Sequence, residues 1–127
     1  MYLKRLSLTT VPPGPWEARG RPRPSQVCST VFPPLPVPGH STYPAGHSLI
    51  AWLTVESLKQ ITKLNVSPYK DSLDLLANRI GTNRVIGGMH FQEDVDHAKL
   101  AALAIHPYIR QCQIYIDTLA AAQGEWN

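Results

Sequence analysis

The chain has 127 residues, a mass of 14.1 kDa and a formal net charge of +3. That is room for one domain and excludes a two-domain enzyme. With 43% hydrophobic and 17% charged residues the composition is that of a globular chain.

Residues are unevenly distributed. Ten of the twelve prolines fall between Pro12 and Pro44, and only Pro68 and Pro107 follow. Residues 1–45 carry a balance of +4 and residues 46–127 a balance of −1, so the basic character belongs to the proline-rich part. A charge of this size calls for a small anion or a local acidic surface and argues against nucleic acid as a partner. The first ten residues have a basic start but no apolar stretch behind it, so no signal peptide is visible. Apolar runs such as Leu100 to Ile105 fall far short of the ~20 residues needed to cross a bilayer, and the chain reads as soluble, with its compartment open. Cys28 and Cys112 resemble neither a disulfide framework nor a metal knuckle and read as ordinary thiols.

Residues 1–45 show no periodicity, and Pro12-Pro13-Gly14-Pro15 and the Phe32 to Gly39 run cannot sustain a helix. This predicts an irregular segment. From Gly46, the residues Ile50, Leu53, Ser57, Ile61 and Leu64 form one mostly apolar stripe and predict a helix over 46–64. Ser67-Pro68 supplies a cap and a proline at the first helical position, and Leu73, Leu76, Ala77 and Ile80 predict a helix over 68–80 that Gly81 ends. Ala98, Ala102, Ile105, Ile109, Cys112, Ile116 and Leu119 step by three and four and form a packing seam that Pro107 should kink or divide. The predicted fold is all-α, an antiparallel bundle. His97 and His106 are assigned to helix surface and packing, and Trp52 and Trp126 to packing.

Three polar clusters lie where these helices begin. The first is Arg21-Pro22-Arg23-Pro24-Ser25-Gln26. The second, His40-Ser41-Thr42-Tyr43-Pro44-Ala45-Gly46-His47, brings an imidazole and backbone N–H groups to a helix N-terminus, which attracts anions. The third runs from Asn83-Arg84 through His90 to Asp94. If a helix has begun by His90, Asp94 faces the same side four residues later, and its carboxylate can hold and polarise the imidazole.

Together these residues resemble the type 2 phosphatidic acid phosphatase and vanadium haloperoxidase superfamily. Its third signature, Ser-Arg, five residues, His, three residues, Asp, is matched from Asn83-Arg84 to Asp94. Its Pro-Ser-Gly-His appears as Pro44-Ala45-Gly46-His47, and its Arg-Pro as Arg23-Pro24. The Arg-Pro-Arg-Pro-Ser-Gln run looks like the soluble bacterial haloperoxidase branch. The resemblance implies a partial helical bundle over residues 19–123 behind an irregular segment over 1–18, with Arg23, Arg84 and the Gly46 N–H holding the oxygens of phosphate or vanadate. In a haloperoxidase His90 would ligate the vanadium of a vanadate cofactor, His47 would manage protons, and peroxide and halide would be the substrates. His40, seven residues before His47, would stand behind the site. In an acid phosphatase His90 would be the nucleophile, Asp94 would orient it, His47 would protonate the leaving alcohol, and the substrate would be a phosphomonoester. The haloperoxidase is the leading expectation, the phosphatase the alternative, and an inactive fragment or pseudoenzyme the third.

Departures from the pattern bear on these expectations. Trp16 stands at the position of the family's lysine, Ala45 at a serine that donates to the oxyanion, and Asn83 at another serine. Family domains also place several helices before the first signature. The chain therefore reads as less than one such domain, and its Ala98 to Leu119 seam should be exposed enough to drive self-association.

Overall fold

The computed structural model describes residues 20–126. Trp16, Arg19 and the expected irregular segment over 1–18 lie outside the described residues. The described chain is all-α. It contains α1 (Pro24–Val27), α2 (Gly46–Leu58), a 3-10 turn (Thr62–Leu64), α3 (Tyr69–Ile86), α4 (Gln92–Ile109) and α5 (Gln113–Trp126). Apart from the one turn of α1, residues 21–45 are irregular, as the prolines require. None of the described helices is long and apolar enough to cross a membrane.

Helices α2, α3 and α4 pack on one another and form the frame. Their core is built from Ala51, Trp52, Val55, Ala77 and Ala102, with Leu49, Leu53, Leu73 and Ile80 against it, and from Ala45, Val95 and Ala98 near the site. The Trp52 indole is buried, and the Lys99 ammonium lies 4.0 Å over its ring. Lys59 ties α2 to α3 by ion pairs to Glu56 and Asp74. Only the first half of the expected seam is buried: Ala98 and Ala102 are enclosed, whereas Cys112 and Ile116 are exposed. Trp126 is also largely exposed, contrary to the packing role expected of it.

Three boundaries differ from expectation. The first helix stops at Leu58 instead of continuing to 64. The Gln60 and Ile61 amides bond to the carbonyls of Ser57 and Leu58, tightening the chain so that Ile61 turns into the core. The second starts at Tyr69 and passes through Gly81 to Ile86. Gly81 is a contact point rather than a terminator: a Cβ there would lie 2.6 Å from Val95 Cγ1 and 3.3 Å from Ser48 Oγ, so its bare backbone lets the helices approach. Finally, Pro107 sits inside α4, and the division comes after it, at Arg110–Cys112. Across the break, the buried His106 of α4 meets the Tyr115 hydroxyl of α5 at 3.1 Å, and Gln123 donates to the Gln60 carbonyl at 3.1 Å, which hold α5 to the frame.

Candidate active site

The third cluster folds as the end of one helix and the start of the next. At the C-terminus of α3 the Gly87 and Gly88 amides bond to Asn83 and Val85, and Gly88 turns the chain at φ +66°. The reversal returns the next two residues to the helix end, where the Arg84 carbonyl accepts from the amides of Met89 at 3.0 Å and His90 at 3.2 Å. Five residues between Arg84 and His90 are what this turn consumes. The α4 helix begins after it, at Gln92, and Asp94 reaches back to accept from the Phe91 N–H at 2.9 Å.

The irregular segment brings the other two clusters to the same place. Thr42 N–H pairs with the Arg21 carbonyl at 3.0 Å, and Ala45 N–H with the Asp94 carbonyl at 3.0 Å, which pins the loop against the chain just before α1 and against α4. α2 then starts at Gly46, and its first helical bond is from Leu49 N–H to the Ala45 carbonyl, so the Gly46 amide precedes the helix ladder.

The result is a pocket of about 190 Å³ lined by Arg23, His40, Gly46, His47, Arg84 and His90, with Pro38 and Ile50 supplying apolar wall. Six of the seven site positions singled out from the sequence line it, and the seventh, Asp94, lies behind His90. The guanidinium of Arg23 is fully buried. It donates to the Met89 carbonyl at 2.7 Å and reaches Pro38 O and His40 Nδ1 at 3.3 Å each. Burial and the neighbouring Arg84 charge depress the Arg23 guanidinium, and Asp94 offsets part of this. Two cations thus converge on one cavity, and Arg84 Nε is buried there with no hydrogen-bond partner among the described residues. An anion relieves both conditions, and a guanidinium fork fits the oxygens of a tetrahedral oxyanion. Phosphate and vanadate share that shape, so the shape of the donor set does not distinguish them. His47 stands exposed at the rim, while His40 touches Arg23.

Asp94 faces His90 four residues on, with Oδ2 3.7 Å from Nδ1, which is ion-pair range for a protonated ring but beyond hydrogen-bond length. Thr42 fills the interval, with its hydroxyl 2.7 Å from Asp94 Oδ2 and 3.0 Å from His90 Nδ1. On the other side Arg21 donates to Asp94 Oδ1 at 3.0 Å and to Glu93 at 2.9 Å, and its guanidinium lies 4.7 Å over the Phe91 ring. Burial alone would raise the Asp94 carboxyl, but His90, the Thr42 hydroxyl, the Phe91 N–H and Arg21 outweigh it and hold the carboxyl below the ordinary range.

Sequence reasoning left Thr42 and Arg21 without a role. Both stand inside the quoted clusters, and Thr42, five residues before His47 in a run of polar groups, carried a faint signal. The backbone pairing of residues 21 and 42 that gives them their roles has no local sequence signature.

No protein-family profile matches the chain. Over 63 residues, half of this chain, it is 35% identical to a non-specific acid phosphatase of Providencia stuartii. Those residues make up 24% of that protein, so the chain spans about a quarter of the curated relative it matches. This likeness supports the acid phosphatase and type 2 phosphatidic acid phosphatase superfamily and does not reach its haloperoxidase branch.

Proposed function

We propose that the pocket binds the phosphoryl group of a small phosphomonoester and that the chain carries the site of an acid phosphatase. The observation that carries this reading is the convergence of Arg23, Arg84, Gly46, His47 and His90 on one cavity, with Arg84 Nε buried and unpartnered among the described residues. The likeness to a non-specific acid phosphatase supports this activity over halide oxidation.

In this reading Arg23, Arg84 and the Gly46 amide hold the three non-bridging oxygens and stabilise the charge that develops on them. A ring nitrogen of His90 attacks phosphorus as the ester P–O bond breaks, forming a phosphohistidine. His47 at the rim gives its proton to the departing alkoxide, which leaves as alcohol. His47 then takes a proton from water as that water's oxygen attacks phosphorus. The P–N bond breaks, and phosphate leaves with His90 restored. Vanadate enters as a phosphate-shaped ligand of the same donors.

Release of phosphate from p-nitrophenyl phosphate tests the proposal. Turnover by the full chain, abolished in His90→Ala and competitively inhibited by vanadate, is the expected result. Turnover that survives His90→Ala, or no turnover and no binding of phosphate or vanadate, would refute it.

A further inference from the structure

We infer that Thr42 is the positioning residue that fixes the tautomer of His90, through a relay running from His90 Nδ1–H to the Thr42 hydroxyl and on to the Asp94 carboxylate. The inference rests on the reading above for the role of His90 as nucleophile, but the relay itself is a matter of three side chains.

One proton decides the tautomer. A threonine hydroxyl has a single hydrogen to donate and two lone pairs with which to accept. Thr42 is fully buried, so water does not compete for that hydrogen, and three acceptors surround it: Asp94 Oδ2 at 2.7 Å, His90 Nδ1 at 3.0 Å and the Met89 carbonyl at 3.3 Å. The carboxylate is the nearest and the charged one, and bonds to charged acceptors are the shorter and stronger kind. The Met89 carbonyl already accepts from the Arg23 guanidinium at 2.7 Å. The hydroxyl hydrogen therefore goes to Asp94.

What remains on Thr42 Oγ is acceptor capacity, and His90 Nδ1 lies 3.0 Å away. Were Nδ1 unprotonated, two lone pairs would face each other in a site closed to water. Carrying the ring hydrogen on Nδ1 turns that contact into a hydrogen bond. A neutral imidazole with its hydrogen on Nδ1 has its lone pair on Nε2, and Nε2 has no protein partner among the described residues. The relay thus delivers to the pocket the nitrogen that must attack phosphorus, with its lone pair uncovered.

The two flanking groups keep the relay in register. Asp94 cannot rotate toward the imidazole, because Arg21 holds Oδ1 and the Phe91 N–H shares Oδ2 with Thr42. Thr42 is held by its own backbone bond to Arg21 O at 3.0 Å. Arg21 therefore anchors both the last member of the relay and the strand of chain carrying the middle one.

Nitrogen-15 NMR of the imidazoles in the full-length chain reads the tautomer without requiring turnover. In the wild type the Nδ1–H form of His90 is expected to dominate. Thr42→Val, nearly the same in volume but without the hydroxyl, should abolish that preference, and Thr42→Ser should restore it. If the chain turns over p-nitrophenyl phosphate, kcat should fall at least about tenfold in Thr42→Val with KM little changed, and recover in Thr42→Ser. A wild-type His90 in the Nε2–H form, or an Nδ1–H form that persists in Thr42→Val, overturns the inference. Should Thr42→Val fail to fold, the wild-type spectrum alone decides. Absence of phosphate release together with an Nδ1–H His90 dependent on Thr42 would refute the phosphatase reading and leave the relay standing.

Discussion

The backbone carbonyl of Arg84 accepts the amide proton of His90 at 3.2 Å, so a cation and an imidazole of the pocket share one helix terminus. Their separation is set by a turn rather than by side-chain packing. That turn depends on Gly88, whose φ of +66° is costly for any residue with a Cβ and whose added Cβ would lie 2.7 Å from Val31 Cγ1.

Gly88→Ala is accordingly expected to destabilise the fold by about 1–2 kcal/mol from the backbone alone, with the Val31 contact adding to it. In a domain of this size that lowers Tm by about 5–10 °C, and phosphate affinity should fall as His90 shifts. A thermal melt followed by circular dichroism checks it; an unchanged Tm would mean that the turn accepts a side chain.

The two pocket arginines should separate binding from stability. Arg84 Nε has no partner to lose among the described residues, so Arg84→Met should weaken vanadate or phosphate binding by about tenfold to a hundredfold while leaving Tm unchanged or higher. Arg23 donates to the Met89 carbonyl from a fully buried position, so Arg23→Met should weaken binding and lower Tm as well. Calorimetric titration of both variants beside their melts tests the distinction, and equal losses of Tm would contradict it.

Gly81→Ala sets two effects against each other. Alanine favours the helix by about 1 kcal/mol, whereas crowding Val95 and Ser48 costs about 1–3 kcal/mol in a close-packed contact. The crowding should win, giving a lower urea midpoint. Val95→Ala added to Gly81→Ala should then recover part of the loss, and a double-mutant cycle with no coupling would show that the contact is slack.

Acid should loosen the junction of α4 and α5. Burial pushes the His106 imidazole down, Glu56 acts to raise it and Arg110 to lower it, while its ring bonds the Tyr115 hydroxyl. The unfolded chain takes up the proton near the ordinary value of about 6.5, which the folded chain resists. The stabilisation is therefore complete above that value and is lost as pH falls toward the lower folded value. Tm of the wild type should drop more steeply than that of His106→Gln between about pH 7 and pH 5. Parallel curves would remove His106 from the acid response.

The residues that line the cavity were legible as a set because they occur at fixed spacings from helix ends: Arg84 six residues before His90, and Gly46-His47 at the start of α2. Legibility fails where a residue type has two uses. Gly81 could end a helix or admit a neighbour, and only the approach of Val95 and Ser48 decides between them. Leu58 to Leu64 continue the apolar stripe of α2 perfectly well, yet the chain tightens to bury Ile61. Thr42 escaped because its neighbours, His90 and Asp94, are 48 and 52 residues away in sequence.

The frame has one more property. Gly81, Ala77, Ala98 and Ala102 are four of its buried contact points, and these residues have no rotamers to exchange. Where they meet their neighbours, the spacing of α2, α3 and α4, and so of His47, Arg84 and Asp94, has little slack for tuning. Arg23, His40 and Thr42 ride instead on an irregular segment that a few long-range bonds secure. Any change in what the pocket admits has its freest variable there, in the proline-rich loop, with the helices serving as the fixed side of the vice.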